Sequence, residues 1–153
     1  MRNEMSKYII GIDPGVNTGF CVWDMREGRI RSIASYKIYE AMDAVMIWHQ
    51  SGELEGVIFE DARLRVWFGS QPRGGKSDIG RLQGAGSVKR DCQIWEDFLA
   101  DRKIKFLTRS PQSKGVKMDA ATFKRVSGCK SGGNEHSRDA FALVAGLTRW
   151  PAI

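Results

Sequence analysis

The run Tyr8-Ile9-Ile10-Gly11-Ile12-Asp13-Pro14-Gly15 constrains this chain more than any other stretch. Its apolar residues lead into an aspartate, and a Pro-Gly pair then stops the run. A bounded apolar segment of this length suits a strand buried on both faces. A carboxylate at the mouth of such a strand sees little water and needs a partner, most simply a metal ion or a phosphate-bound metal. If Asp13 is such a group, further carboxylates should stand at the ends of other elements.

The rest of the chain supplies them. Gly19 to Asp24 reads as a second strand, Glu27-Gly28 as a turn, and Arg29 to Tyr39 as a third strand, an antiparallel meander by loop length. Met42 to Gln50 has mostly helical spacing. Gly56 to Asp61 is a short buried strand that again runs into acid. Ala62 to Ser77 has no clean period and contains Gly69, Pro72, Gly74 and Gly75, a long loop of the kind usually kept for function. Asp78 to Arg102 carries an apolar stripe and predicts a long helix, in which Gly84 and Gly86 would allow close approach of another element. A fifth strand at Ile104–Thr108, a short helix at Asp119–Val126 and a last helix from Glu135 to about Arg149, stopped by Pro151, complete the chain. Three leading antiparallel strands followed by alternating helices and strands predict an α/β fold. Its five-stranded mixed sheet, parallel after the meander, carries helices on both faces.

At 153 residues the chain is long enough for one core and too short for two ordinary domains, so residues 1–153 are read as a single domain. No 18-residue apolar run occurs, and no membrane span is expected. The first residues lack the order of a secretory signal. Cys21, Cys92 and Cys129 are scattered and odd in number, which fits reduced thiols in a cytoplasmic protein. The net charge is +6, compatible with a polyanionic partner. Its placement says more. One basic run extends from Arg63 to Arg90 and another from Arg102 to Lys130, flanking the acids in sequence, which favours phosphate contacts over mere solubility.

Asp13 and Glu60 both end buried strands, and neighbouring parallel strands bring such ends together at the crevice where ligands bind. Asp139 follows Glu135 by four residues and His136 by three, so all three share one helix face. A helix packed on the sheet would aim one or two of them at Asp13 and Glu60. Three carboxylates and an imidazole suit hard divalent ions such as magnesium or manganese. Two ions about 3.5–4 Å apart clamp the attacking and leaving oxygens of a phosphodiester. Asp61 competes with Glu60 as the ligand, and Glu135 competes with His136.

Gly11-Ile12-Asp13-Pro14-Gly15 with Thr18-Gly19, then Ile58-Phe59-Glu60, then His136-Ser137-Arg138-Asp139-Ala140 resembles the RuvC family of Holliday-junction resolvases. Leu82 to Val88 looks like the Gly-containing start of that family's long dimer helix. The likeness runs from residue 8 to about 147 in the family's order. It implies an RNase H-like fold, a homodimer, and cleavage of branched DNA with two Mg2+ ions per site, with Mn2+ as a substitute. Carried over by position, the catalytic and metal-holding residues are Asp13, Glu60, His136 and Asp139, although many members have aspartate where His136 stands. The compact size would suit a phage-encoded member.

DNA contacts are expected from Arg63, Arg65, Arg73 and Lys76, with Trp67-Phe68 stacking on bases unpaired at a branch point. Lys114 and Lys117 are expected near the scissile phosphate. A loop tucking its aromatics into the core, or a dimer contact, explains Trp67-Phe68 equally well, and the two lysines are equally explained as solvated. Other RNase H-like nucleases acting on RNA, an actin-like ATPase and a non-catalytic branched-DNA-binding dimer are the rivals. The ATPase needs two such domains, which this length cannot hold.

Overall fold

The computed structural model describes residues 7–64, 76–111 and 117–152, with side chains omitted for 76–85. Its order is β1 (Tyr8–Asp13), β2 (Asn17–Asp24), β3 (Arg29–Lys37), α1 (Ile38–Gln50), β4 (Leu54–Glu60), a 3-10 turn at Ala62–Leu64, α2 (Lys76–Asp101), β5 (Phe106–Arg109), α3 (Ala120–Ser127) and α4 (Glu135–Val144). The five strands lie in the order β3-β2-β1-β4-β5. β1–β2 and β2–β3 are antiparallel, whereas β1–β4 and β4–β5 are parallel. The apolar run ending in Asp13 is thus the central strand. No helix among the described residues is long and apolar enough to cross a membrane.

The period-2 alternation of β1 divides the core. Ile10 and Ile12 pack with Phe20, Val22, Val57 and Phe59 against Ala41 and Val45 of α1 and Cys92, Trp95 and Leu99 of α2. Ile9 points the other way, with Cys21, Trp23 and Ile58, against Phe123 of α3 and Ala140, Phe141 and Val144 of α4. Helices therefore cover both faces, as a parallel pair in the middle of a sheet requires.

Several element ends differ from the sequence expectation: α1 starts at Ile38 rather than Met42, β4 at Leu54 rather than Gly56 and β5 at Phe106 rather than Ile104. β3 stops at Lys37, not Tyr39, because the Glu40 carboxylate accepts the Lys37 N–H at 2.9 Å and starts α1 there. α2 begins at Lys76, two residues before the expected start. α4 ends at Val144 rather than near Arg149. Gly146 takes φ +81°, which breaks the helix well before Pro151, and the Trp23 indole captures the freed Leu147 carbonyl at 2.8 Å. The close neighbour expected at Gly86 is not found among the described residues: nothing comes within 4 Å of a Cβ built there.

Candidate active site at the mouth of the central strands

β1 and β4 run parallel and their last paired residues are Ile12 and Phe59, so Asp13 and Glu60 follow side by side as the last residues of neighbouring strands. Adjacent strands are about 4.8 Å apart. Asp13 has the parity of Ile9, and Glu60 that of Ile58, so both carboxylates belong to the face covered by α4. Glu60 Oε2 is shut off from solvent.

α4 lies unusually close to that face. Gly19 is the register partner of Asp13 on β2. A Cβ added to Gly19 would stand 1.9 Å from the His136 carbonyl oxygen, and one added to Gly11 would stand 2.3 Å from that of Ala140. The two glycines let the helix backbone touch the strands. Asn134 caps α4, accepting the Ser137 N–H at 2.9 Å, and this fixes the start of the first turn. His136 consequently comes over the end of β1, with Nδ1 3.3 Å from Asp13 Oδ2. The Asp13 side chain is only 13% exposed and the Asp139 side chain 12%, so both carboxylates are largely withdrawn from water.

Lys117, just before α3, reaches the same place. Its Nζ is 4.0 Å from Asp139 Oδ2 and in contact with the Glu135 carboxylate. The hydrogen bond to Glu135 raises the lysine pKa, and the charges of Asp139, Glu135 and Asp13 add to that effect. The same hydrogen bond holds the Glu135 carboxyl below its ordinary range. The two residues that compete in sequence for one role therefore occupy different surroundings: His136 meets Asp13, and Glu135 meets Lys117.

Glu60 and Asp61 separate in the same way. Asp61 is buried on the α2 side, where Arg63 grips it through Nε to Oδ1 and Nη2 to Oδ2, both at 2.8 Å. Arg63 also reaches Glu96 at 2.6 Å and Gln93 at 2.8 Å on α2. Burial alone would push the Asp61 carboxyl up. The hydrogen bonds and charge of Arg63 more than reverse this and leave it below the usual carboxylate range. Arg63, expected at DNA, is thus engaged in tying the turn after β4 to α2. Substitution of Arg63 by alanine should cost about 3 kcal/mol by stranding a buried carboxylate. A depressed carboxyl stabilises the fold in full above its unfolded pKa of about 4 and loses this contribution as pH falls through the lower folded value. Urea unfolding should therefore show a gap between Arg63→Ala and the parent that is widest at neutral pH and narrows as pH falls, first through the raised Asp61 pKa of the variant and then through the depressed one of the parent.

Among the described residues, no three His, Cys, Asp or Glu side chains converge closely enough to hold an ion as they stand. Asp13, Glu60, His136 and Asp139 make an oxygen-rich donor set with one imidazole, the chemistry that hard divalent cations take. Asp13 and His136 are brought into direct contact. Arg65, Trp67, Phe68, Arg73 and Lys114 lie outside the described residues, and Lys76 opens α2 with its side chain undescribed.

Sequence reasoning missed Arg138. Its guanidinium donates to the carbonyls of Met118 at 3.0 Å and Gly132 at 2.9 Å, fastening the segment that carries Lys117 to α4.

No protein-family model matches the sequence, and a search of curated proteins finds no relative. Among solved structures, T. thermophilus RuvC in complex with a Holliday junction substrate is similar over 90% of this chain and 89% of that one, with TM-score 0.53 and 17% identity. The large terminase of a thermophilic bacteriophage aligns with 72% of this chain and 24% of that one, with TM-score 0.38 and 15% identity. The five-stranded mixed sheet with helices on both faces is an RNase H-like fold.

Proposed function

We propose that this protein is a structure-selective endonuclease that hydrolyses phosphodiesters of branched DNA, four-way junctions included, with divalent metal ions. The observation that carries the reading is the meeting of Asp13 with His136 at the end of the central strand, on the face shared by Glu60 and Asp139. The likeness of 90% of the chain to a RuvC solved on a Holliday junction supports it. Asp13, Glu60, His136 and Asp139 would hold Mg2+, or Mn2+ in its place, two ions per site. Bound there, such ions supply Lewis-acid stabilisation of the charge that develops on a phosphodiester in hydrolysis.

The chain's own residues do the positioning. In the tautomer that donates Nδ1–H to Asp13, the His136 ring keeps its lone pair on Nε2, which could serve as a ligand or proton acceptor. The His136 ring is half exposed whereas the Asp13 carboxylate is withdrawn, so a phosphate backbone would approach from the side of the ring. The basic runs, with a formal net charge of +6 over the chain, supply salt-sensitive affinity that is largely independent of sequence. A homodimer would present two sites for paired nicks on opposed strands.

Nicking assays with Mg2+ on four-way, flap and linear duplex DNA test this reading. The expected result is cutting of branched substrates, abolished by a chelator. Binding of the junction without cutting under every divalent ion would instead assign a non-catalytic binder. Cutting confined to RNA or RNA–DNA hybrids would assign another branch of the fold.

A further inference from the structure

We propose that Lys117 is the resident counter-cation of the acid mouth: its ammonium, held against Glu135 and Asp139 beside Asp13, takes the place of a divalent ion and swings out when the ion enters. The inference rests on the reading of these acids as ion-holding residues. Asp13 and Asp139 are both largely withdrawn from water, and Glu135 and Glu60 add further negative charge at the same end of the sheet. Carboxylates packed this way repel, and an opposite charge must offset the repulsion. Among the described residues, the cation in contact with Glu135 and 4.0 Å from Asp139 is Lys117. Its effect extends to Asp13, whose charge also acts on it.

The anchoring of the segment suits a side chain that leaves while its backbone stays. Arg138 binds the carbonyl of Met118, the very next residue, and Asp119 caps α3 by accepting the Thr122 N–H at 2.7 Å. The backbone at 117 is therefore fixed to α4 and α3. The lysine side chain is 68% exposed, and its partner Glu135 57%, so the pair is weakly held and has solvent to move into. A divalent ion arriving there meets a like charge and displaces it.

Mn2+ titration followed by electron paramagnetic resonance, on the full chain without DNA, tests the proposal. Lys117→Met should bind Mn2+ roughly tenfold more tightly than the parent, the effect expected for removing one positive charge beside a divalent ion. Lys117→Arg, which keeps the charge, should hold the parent's affinity, and Lys117→Gln should behave like Lys117→Met. Without metal, Lys117→Met should melt below the parent, and saturating Mn2+ should remove that difference. Equal or weaker Mn2+ binding by both Lys117→Met and Lys117→Gln overturns the proposal. Junction cleavage by the parent, measured alongside, separates the two readings. Absent cleavage with tighter Mn2+ binding in the variants removes the nuclease and leaves the counter-cation standing; intact cleavage with unchanged Mn2+ binding does the reverse.

Discussion

Substitution of Asp13 by asparagine should abolish junction cleavage while leaving the fold intact. The two side chains have the same shape, and asparagine can still hydrogen-bond the His136 ring, which now lies 3.3 Å from Asp13 Oδ2. What disappears is one negative charge in a place only 13% exposed to solvent. An amide is a poor ligand for hard divalent ions, so the loss falls on the chemical step. A drop of at least about a thousandfold in kcat/KM is expected, equivalent to roughly 4 kcal/mol of transition-state stabilisation. Melting should shift little, or rise slightly, because one of several neighbouring carboxylates is neutralised. A retained rate would mean that Asp13 is only the turn former that its Pro-Gly neighbours allow.

Gly19→Ala should damage stability and activity together. The new Cβ would lie 1.9 Å from the His136 carbonyl oxygen, 2.5 Å from its carbonyl carbon and 3.1 Å from the Asp13 Cβ. The obstacle is backbone, so no rotamer change relieves it, and α4 must lift from β2. Overpacking of this kind costs about 3 kcal/mol. For a domain of this size that is a fall in Tm of roughly 6–12 °C. The displaced element carries His136 and Asp139, so cleavage should fall even at temperatures where the variant is folded. Circular dichroism melts and junction nicking on one preparation check both halves. An unchanged Tm would show that helix and strand are not packed as closely as these distances require.

Much of this architecture could be read from local pattern. The apolar run of β1, ended by Asp13-Pro14-Gly15, identifies the central strand because burial on both faces leaves no polar position within it. The meander and the alternating elements after it followed from loop length and period. Element ends were less legible, for physical reasons. β3 runs into α1 without a turn residue, the switch being made by Glu40 reaching back to the Lys37 backbone. The end of α4 depends on Gly146 together with Trp23, 124 residues from the carbonyl it captures.

For the site, spacing alone grouped His136 and Asp139, and strand ends grouped Asp13 and Glu60. Long-range polar pairing was beyond it. Arg63 reads as one more cation in a basic run, and only the fold reveals Asp61 and Glu96 beside it. Lys117 reads as a solvated lysine or a phosphate contact, and only the fold brings it to Glu135 and Asp139. Charge pairing across the chain has no sequence period, whereas hydrophobic burial does.

A crystal structure with Mn2+, read from the metal's anomalous scattering, tests the central claim most directly. The account predicts a peak at the mouth of β1 and β4, with the Asp13 carboxylate coordinating at about 2.1 Å and Glu60, Asp139 or His136 completing the shell. Manganese bound elsewhere, or at this mouth without the Asp13 carboxylate, would contradict it.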